Sequence, residues 1–337
     1  MTEITVGIIF GGSSPEHHES IRAARILYQH AIRGKLDQKY NFLYFHLTRS
    51  NRWASSKYSK AVIQKRGGDH SDSGYDRILD LKECDVLYSS MMGPCGENGN
   101  VMGLADLLNI PIIGCGILAS ALALDKFLSK LLAEKIGVPV VDYLQADRDD
   151  DPDELIKSIE EGIGFPCFVK PTNLGTCAHI FRADNREEFR KKWRQTTRYN
   201  HYSRKYLIEK FIPNVEVRVF VYEDRDGHLQ TNDQYNTTLI EKALIKGGGL
   251  FDHVENKFSE ETRALIRKYA KRIFRVFGMK DYSRIDFFVE NETGQVYFNE
   301  ANTQPFISGY NIKLMENDGY SYSDFLHSLV KKNLRKD

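Results

Sequence analysis

The chain has 337 residues, 41% of them hydrophobic and 28% charged, with a formal net charge of +1. That length exceeds one ordinary core and predicts two or three packed units, while the near-neutral charge excludes a global electrostatic drive toward nucleic acid. No apolar run approaches the ~18–20 residues that span a bilayer, and the opening Met1-Thr2-Glu3-Ile4 enters a strand pattern without the cationic start of a signal peptide, so a cytoplasmic enzyme with no membrane partner is expected.

The first third alternates strand and helix. Residues 4–10 read as an apolar strand, followed by the loop Gly11-Gly12-Ser13-Ser14-Pro15 and a helix over 20–32; 41–47, 84–90 and 111–114 read as short buried strands. Such alternation predicts a parallel sheet with helices on its faces. No GxGxxG follows the first strand, so the dinucleotide-binding fingerprint is missing. One helix is expected over 119–136, ended by Gly137 and Pro139, with a domain boundary near Ser120. The acidic stretch 147–154 reads as a surface link feeding the next helix rather than as a metal chelator, because Asp and Pro favour helix starts. Strands are expected at 167–171 and 206–211. Between them the basic run 186–198 reads as the solvated face of a helix capped by Asn185, with Glu188 at its third position. The five cysteines, Cys84, Cys95, Cys115, Cys167 and Cys177, are odd in number and contain no CxxC pair, which argues against a disulfide framework and a zinc site.

The last third opens with a meander, 215–222 and 229–239, and the run Gly247-Gly248-Gly249. A helix then starts at the cap Ser259, with Glu260 and Glu261 complementing its dipole, and stops at Gly278. Leu265, Ile266, Tyr269, Ile273 and Phe277 give it one buried face. A hairpin, 284–290 and 295–301, follows and carries the most informative residues. Glu300 and Asn302 are two apart on one strand and share a face. Asp286 joins them if the loop is odd in length, and Glu292-Thr293-Gly294 supplies three residues, with Gly294 at a left-handed position. Two carboxylates and an amide oxygen suit magnesium. The alternative is an ordinary solvent-facing hairpin; Phe287, Phe288, Tyr297 and Phe298 weigh against it, because buried carboxylates need a partner. Arg284 shares the face, either to neutralise charge on phosphate oxygens or as a salt bridge to Asp286.

A nucleotide needs cations, backbone donors and an acceptor for its ribose. Lys170 closes a strand and precedes the small polar loop Pro171-Thr172-Asn173-Leu174-Gly175-Thr176, which has the composition to fold over phosphates but is no P-loop. Lys126 and Lys130 lie on one helix face, where plain surface lysines are the alternative. Glu209 and Glu216 flank Phe211-Ile212-Pro213-Asn214, a hinge between sheets, with Glu216 able to accept from ribose.

With these residues in view, the chain resembles the D-alanine–D-alanine ligases of the ATP-grasp superfamily, in order and over nearly its whole length. The resemblance rests on Phe10-Gly11-Gly12-Ser13-Ser14-Pro15-Glu16-His17, Gly93-Pro94-Cys95-Gly96-Glu97-Asn98-Gly99, Ala119-Ser120-Ala121-Leu122-Ala123-Leu124-Asp125-Lys126, Val169-Lys170-Pro171, Ile208-Glu209-Lys210-Phe211, and Arg284-Ile285-Asp286 with Asn299-Glu300-Ala301-Asn302-Thr303. It implies a three-domain α/β and α+β architecture: an N-terminal parallel α/β domain (1–120), a central α+β lid domain (121–208) and a C-terminal α+β domain (209–337). It implies ATP clamped between the last two, and Asp286, Glu300 and Asn302 as ligands of two magnesium ions, with manganese as a substitute. It implies Lys126, Lys170 and Lys257 on the phosphates, Glu209 and Phe211 near the adenine, Glu216 on the ribose, and a lid around Gly175 and Thr176. Arg284 would stabilise the tetrahedral intermediate, and Glu16 would orient the first amino acid by its ammonium group. Small amino-acid-like substrates and a homodimer formed through the first domain are implied as well.

The nucleotide half matches the family and the amino-acid half departs from it. Met92 stands where the family usually has a histidine, Phe258 where it has a tyrosine, and Thr176-Cys177-Ala178-His179 where its lid has serines. Pro305 is followed by Phe306 instead of glycine, and Asn311 stands near a substrate-binding serine's place. The expected function is therefore an ATP-dependent carboxylate–amine ligase that forms an acyl phosphate on an amino-acid-type substrate other than D-alanine. The alternatives are a true D-alanine–D-alanine ligase and a non-catalytic nucleotide-binding protein.

Overall fold

Strands β1 (Ile4–Gly11), β2 (Tyr40–Leu47), β5 (Val86–Ser89) and β6 (Ile112–Ile113) run parallel in the computed structural model, as the alternation with helices requires. The structure describes residues 3–65, 73–175, 179–200, 202–224, 226–236, 258–305 and 319–334, the side chains of 234–236 excepted. Two antiparallel edge strands, β3 (Trp53–Ala54) and β4 (Ser73–Gly74), complete a six-stranded sheet of order β4-β3-β2-β1-β5-β6. Strands of two residues show no alternation, so the sequence did not announce them. Helices α1 (His17–Arg33), α2 (Ser56–Ile63) and α3 (Asn100–Leu107) accompany this sheet.

Where one helix was expected over 119–136, the structure has two, α4 (Ile117–Leu124) and α5 (Lys126–Lys135). Asp125 separates them with an extended backbone (φ −78°, ψ 102°). Its carboxylate caps α5 by accepting from the amides of Phe127 and Leu128 at 3.0 and 3.1 Å, a stronger local preference than continuing the helix through an Asp. The break frees the amide of Lys126 to donate to the Thr172 carbonyl at 2.8 Å, which pins the start of α5 to the next sheet.

That second sheet is antiparallel: β7 (Tyr143–Asp147), β8 (Cys167–Pro171), β9 (Phe181–Ala183) and β10 (Lys205–Lys210) in the order β7-β10-β8-β9. Helices α6 (Pro152–Gly162) and α7 (Arg186–Tyr199) pack on it. Asp151 caps α6 through Asp153, and Asn185 caps α7 through Glu188, as expected. Phe189 and Trp193 of α7 stack at 5.8 Å in a core of the sheet's own, while its arginines pair outward, Arg186 with Glu160 and Arg190 with Asp153.

The third sheet is also antiparallel: β11 (Asn214–Glu223), β12 (Leu229–Asn236), β13 (Tyr282–Glu290) and β14 (Val296–Asn302) in the order β12-β11-β13-β14. Helix α8 (Glu260–Val276) buries Ile266, Ala270 and Ile273 against it. Ser259 caps α8, and Gly278 follows it with φ +67°. The final helix, α9 (Tyr322–Asn333), returns to the first unit. Its Phe325, Leu326 and Leu329 lie in one core with β1, α1 and, from the third sheet, Phe220 and Tyr282. Each large side chain buried there contributes ~1.5–3 kcal/mol. Gly247-Gly248-Gly249 lies outside the described residues.

Candidate active site

The C-terminal hairpin sets the site through an irregularity. Glu290 donates to Gln295 across a four-residue loop, in which Gly294 has φ +70°. The expected three-residue loop is therefore not what aligns the carboxylates. An even loop runs Val289 opposite Val296 and Phe287 opposite Phe298, and the register then shifts so that Asp286 faces Glu300 and Arg284 faces Asn302. Asn299 is the extra residue, a β-bulge. It resets the alternation, so Val296, Phe298 and Ala301 enter the core while Glu300 and Asn302 turn to the open face with Asp286.

On that face Arg284 grips Asp286, with Nε 2.9 Å from Oδ1 and Nη2 2.9 Å from Oδ2. The ion pair held as the alternative for Arg284 is thus present, and the same Nη2 lies 3.9 Å from Glu300 Oε1. Lys126 Nζ lies 3.6 Å from Glu300 Oε2 and donates to the Leu174 carbonyl at 2.6 Å. Burial works against ionisation of Glu300, yet Lys126 and Arg284 hold its carboxyl down at about 2. The amide nitrogen of the half-buried Asn302 has no hydrogen-bond partner among the described residues, and turning the amide over would bring its oxygen there. Two carboxylates and an unsatisfied amide on one face form an all-oxygen donor set that fits a hard divalent cation.

Deeper in, Glu209 sits between two ammonium groups, Lys130 at 2.6 Å and Lys170. All three side chains are almost fully buried. Burial pushes the Glu209 carboxyl up, but the two lysines overcome it and hold it at about 2. Burial pushes Lys130 down against the opposing pull of Glu209, whereas at Lys170 the pull of Glu209 wins over burial and raises it. Lys170 Nζ also reaches Oδ1 of the bulge residue Asn299 at 3.3 Å. A narrow gap of ≈30 Å³ lies beside this cluster, lined by Phe168, Lys170, Glu209, Phe211, Ile212 and Phe288, between the second and third sheets. On β11, in register with Phe288, the carboxylate of Glu216 takes Arg218 at 3.2 Å.

The first unit forms the roof. Glu16 is buried and wedged between two glycines: a Cβ on Gly93 would lie 2.9 Å, and one on Gly175 2.8 Å, from its Oε1. Gly93 has φ +70°, and its amide donates to Glu97 Oε2 at 2.8 Å. Burial foremost, then the nearby Glu16, pushes Glu97 up to about 8; burial likewise raises Glu16, against the lowering influence of Lys126. Glu97, Lys126, Leu174, Gly175, Glu300 and Asn302, drawn from all three sheets' surroundings, line one small cavity of ≈20 Å³. A larger cleft of ≈680 Å³, beside Gln230, Lys271 and Phe274, contains none of these groups.

Of the residues expected from sequence, Glu16, Lys126, Lys170, Gly175, Glu209, Phe211, Glu216, Arg284, Asp286, Glu300 and Asn302 thus gather around one region. Thr176 and Lys257 lie outside the described residues, as do Cys177, Ala178, Phe306 and Asn311. Sequence reasoning underrated Lys130, which is 0% exposed rather than a surface lysine; its spacing from Lys126 was the signal. It passed over Glu97, inside a glycine motif it had already found, and Arg218, two residues from Glu216 and so on the same face.

Two small antiparallel sheets meeting at a cationic gap, joined to a parallel α/β unit, define an ATP-grasp enzyme. The family description "D-ala D-ala ligase N-terminus" matches residues 5–115 and "D-ala D-ala ligase C-terminus" matches 132–331. The D-alanine–D-alanine ligase of Acetivibrio thermocellus is 30% identical over 368 residues, covering 96% of this chain and 94% of that protein. That of Ruminiclostridium cellulolyticum is 30% identical over 375 residues, covering 98% and 95%. The D-alanyl-alanine synthetase A structure from Vibrio cholerae superposes with a TM-score of 0.80 at 23% identity, covering 99% of each chain. The VanG D-Ala:D-Ser ligase structure from Enterococcus faecalis gives 0.79 at 22%, covering 98% of this chain and 99% of that one. These two likenesses show the fold. The chain belongs to the D-alanine–D-alanine ligase family. It is an ATP-dependent carboxylate–amine ligase that works with a divalent metal on small amino-acid substrates, which sets aside the non-catalytic reading.

Proposed function

We propose that the chain joins two amino-acid-like substrates other than a pair of D-alanines, giving a dipeptide or amide, ADP and phosphate. A carboxylate oxygen of the first substrate attacks the γ-phosphorus of ATP; the bond to the β-phosphate oxygen breaks and ADP leaves. The amine of the second substrate then attacks the acyl carbon, the bond to phosphate breaks, and the nitrogen sheds its extra proton. The observation that carries this reading is the convergence of Asp286, Glu300 and Asn302 with Lys126 and Arg284 on one face of the bulged hairpin. Magnesium, as two ions held by Asp286, Glu300 and Asn302, would supply charge neutralisation on phosphate oxygens.

Arg284 stabilises charge on the tetrahedral intermediate. Lys126, Lys170 and Lys257 hold phosphates, Glu216 accepts from the ribose, and Glu209 and Phe211 border the adenine. Glu16 accepts from the first substrate's ammonium group. The loop at Gly175 and Thr176 excludes water, which would otherwise hydrolyse the acyl phosphate; the bond from Lys126 to Leu174 and the contact of Glu16 with Gly175 support that closure. The departure in substrate rests on Met92 and Phe258, neither of which supplies the polar group its family counterpart has. Each lost bond to a buried carboxylate costs on the order of 1–3 kcal/mol.

A phosphate-release screen against D- and L-amino acids and related acids tests this. Turnover with D-alanine alone at ordinary family rates, and rescue of a ligase-deficient bacterium, would instead establish the true D-alanine–D-alanine ligase that the relatives' names favour. We also propose three domains with borders near 120 and 208, the first inside α4 and the second inside β10, and a cytoplasmic homodimer joined through the first domain. Leu107 and Leu118, 87% and 79% exposed, support such an interface. A monomeric mass by light scattering refutes it.

A further inference from the structure

Arg218 has a place in this site that the reaction scheme above leaves unused. It stands on β11 directly opposite Asp286 on β13, which in turn faces Glu300 on β14, so the three side chains form one row across three strands. Glu216 is two residues earlier on the same face, and its carboxylate takes Arg218 Nε and Nη2, each at 3.2 Å from Oε1. The arginine side chain is 19% exposed and that of Glu216 10%, so the pair lies within the site rather than on its rim.

A cation in that row is out of place if only a metal binds there. Glu216, Asp286 and Glu300 are already matched by Arg218, Arg284 and Lys126. Adding a divalent ion leaves an excess of positive charge, which only further anionic oxygens offset. If the ribose meets Glu216 and the terminal phosphates meet Asp286 and Glu300, the chain between them must pass Arg218, one strand repeat of ~7 Å along β11. A planar guanidinium presents paired donors that match phosphate oxygens.

We propose that Arg218 binds the inner phosphates of the nucleotide and is an additional substrate-contacting cation of the reaction. The inference rests on the assignment of the nucleotide to this face. Its rival is a purely local role, in which Arg218 only holds Glu216 in position. Calorimetric titration of the whole protein with ATP, ADP and adenosine, with and without magnesium, separates the two. Arg218→Gln weakens ATP and ADP by roughly tenfold, 1.4 kcal/mol being tenfold, and leaves adenosine binding unchanged, which also shows that the pocket remains folded. Arg218→Lys recovers part of the loss, since lysine keeps the charge but not the fork. Equal losses for adenosine and ATP, or no loss for either, overturn the proposal. An unaltered protein that binds adenosine but gains nothing from added phosphates also overturns it. One that binds neither ligand brings down the ligase reading first, and Arg218 with it.

Discussion

Glu209 is a carboxylate whose value to the protein depends on the two lysines it pairs with. Lys130 and Lys170 are almost fully buried, and Lys130 also donates to the Phe298 carbonyl at 3.2 Å. Replacing Glu209 by Gln keeps the shape and removes the charge, stranding two ammonium groups in a dry environment. Breaking a buried ion pair in this way costs about 3–5 kcal/mol, so Glu209→Gln is expected to lower the urea midpoint steeply at pH 7. The pH dependence has a defined sign. The folded carboxyl is held at about 2, below its ordinary 4.5, so the unfolded chain binds the proton more readily. The stabilisation is fully present above about 4.5 and fades as pH falls toward 2. Denaturation followed between pH 6 and 2 should show that loss in the native protein and lack it in the variant. A variant that retains the native acid limb contradicts the assignment.

At the scale of elements, the hairpin shows what periodicity can and cannot reveal. A facing set of two carboxylates and an amide was legible in Asp286, Glu300 and Asn302, but the route was not: the loop is even, and a bulge at Asn299 restores the pairing. The cue was present in the apolar phase, which steps from Val296 to Phe298 and then three residues to Ala301. Similarly, the helix over 119–136 was legible as apolar spacing, while its break at Asp125 depends on a cap that hydrophobic spacing ignores. The packing of α9 onto the first unit involves residues some 300 positions apart and left no local mark. The bulge also brings two consecutive side chains into the site with different tasks, Asn299 toward Lys170 and Glu300 toward Lys126. Asn299→Ala should cost about 1.5–3 kcal/mol, the range for one neutral-to-charged hydrogen bond, and leave metal titration unchanged. Glu300→Gln should fold but lose metal-dependent phosphate release by on the order of 100-fold or more. Equal metal affinity in the native and Glu300→Gln proteins removes Glu300 from the proposed ligand set.

Across the whole molecule the cores are not equivalent. The second sheet has its own apolar cluster around Phe189 and Trp193, whereas the first and third sheets share one through Tyr88, Phe220, Tyr282 and Phe325. That shared body is fastened at Asp281, which is 1% exposed and sits at a left-handed φ of +62° just before β13. Its Oδ2 accepts from the Gly114 amide of the first unit at 2.8 Å and from Asn333 of α9 at 2.9 Å, and Lys332 lies 3.1 Å from Oδ1. Its own amide donates to Glu223 at 2.9 Å. One side chain therefore joins three segments distant in sequence, three residues ahead of Arg284. Asp281→Ala strands the buried Gly114 amide, worth about 1–3 kcal/mol, removes a bond from the half-buried Asn333, which keeps the Leu329 carbonyl as acceptor, and keeps a non-glycine residue in a left-handed conformation. Asp281→Gly loses the same bonds but relieves the backbone, worth ~1–2 kcal/mol. Urea unfolding should therefore order the proteins native, then Gly, then Ala. Hydrogen exchange should quicken in β6 and α9 in both variants while β8 and β10 keep their protection, because the second sheet's core does not pass through Asp281. Uniform loss of protection across all three sheets would mean that Asp281 supports global stability only, not the join between the first and third units.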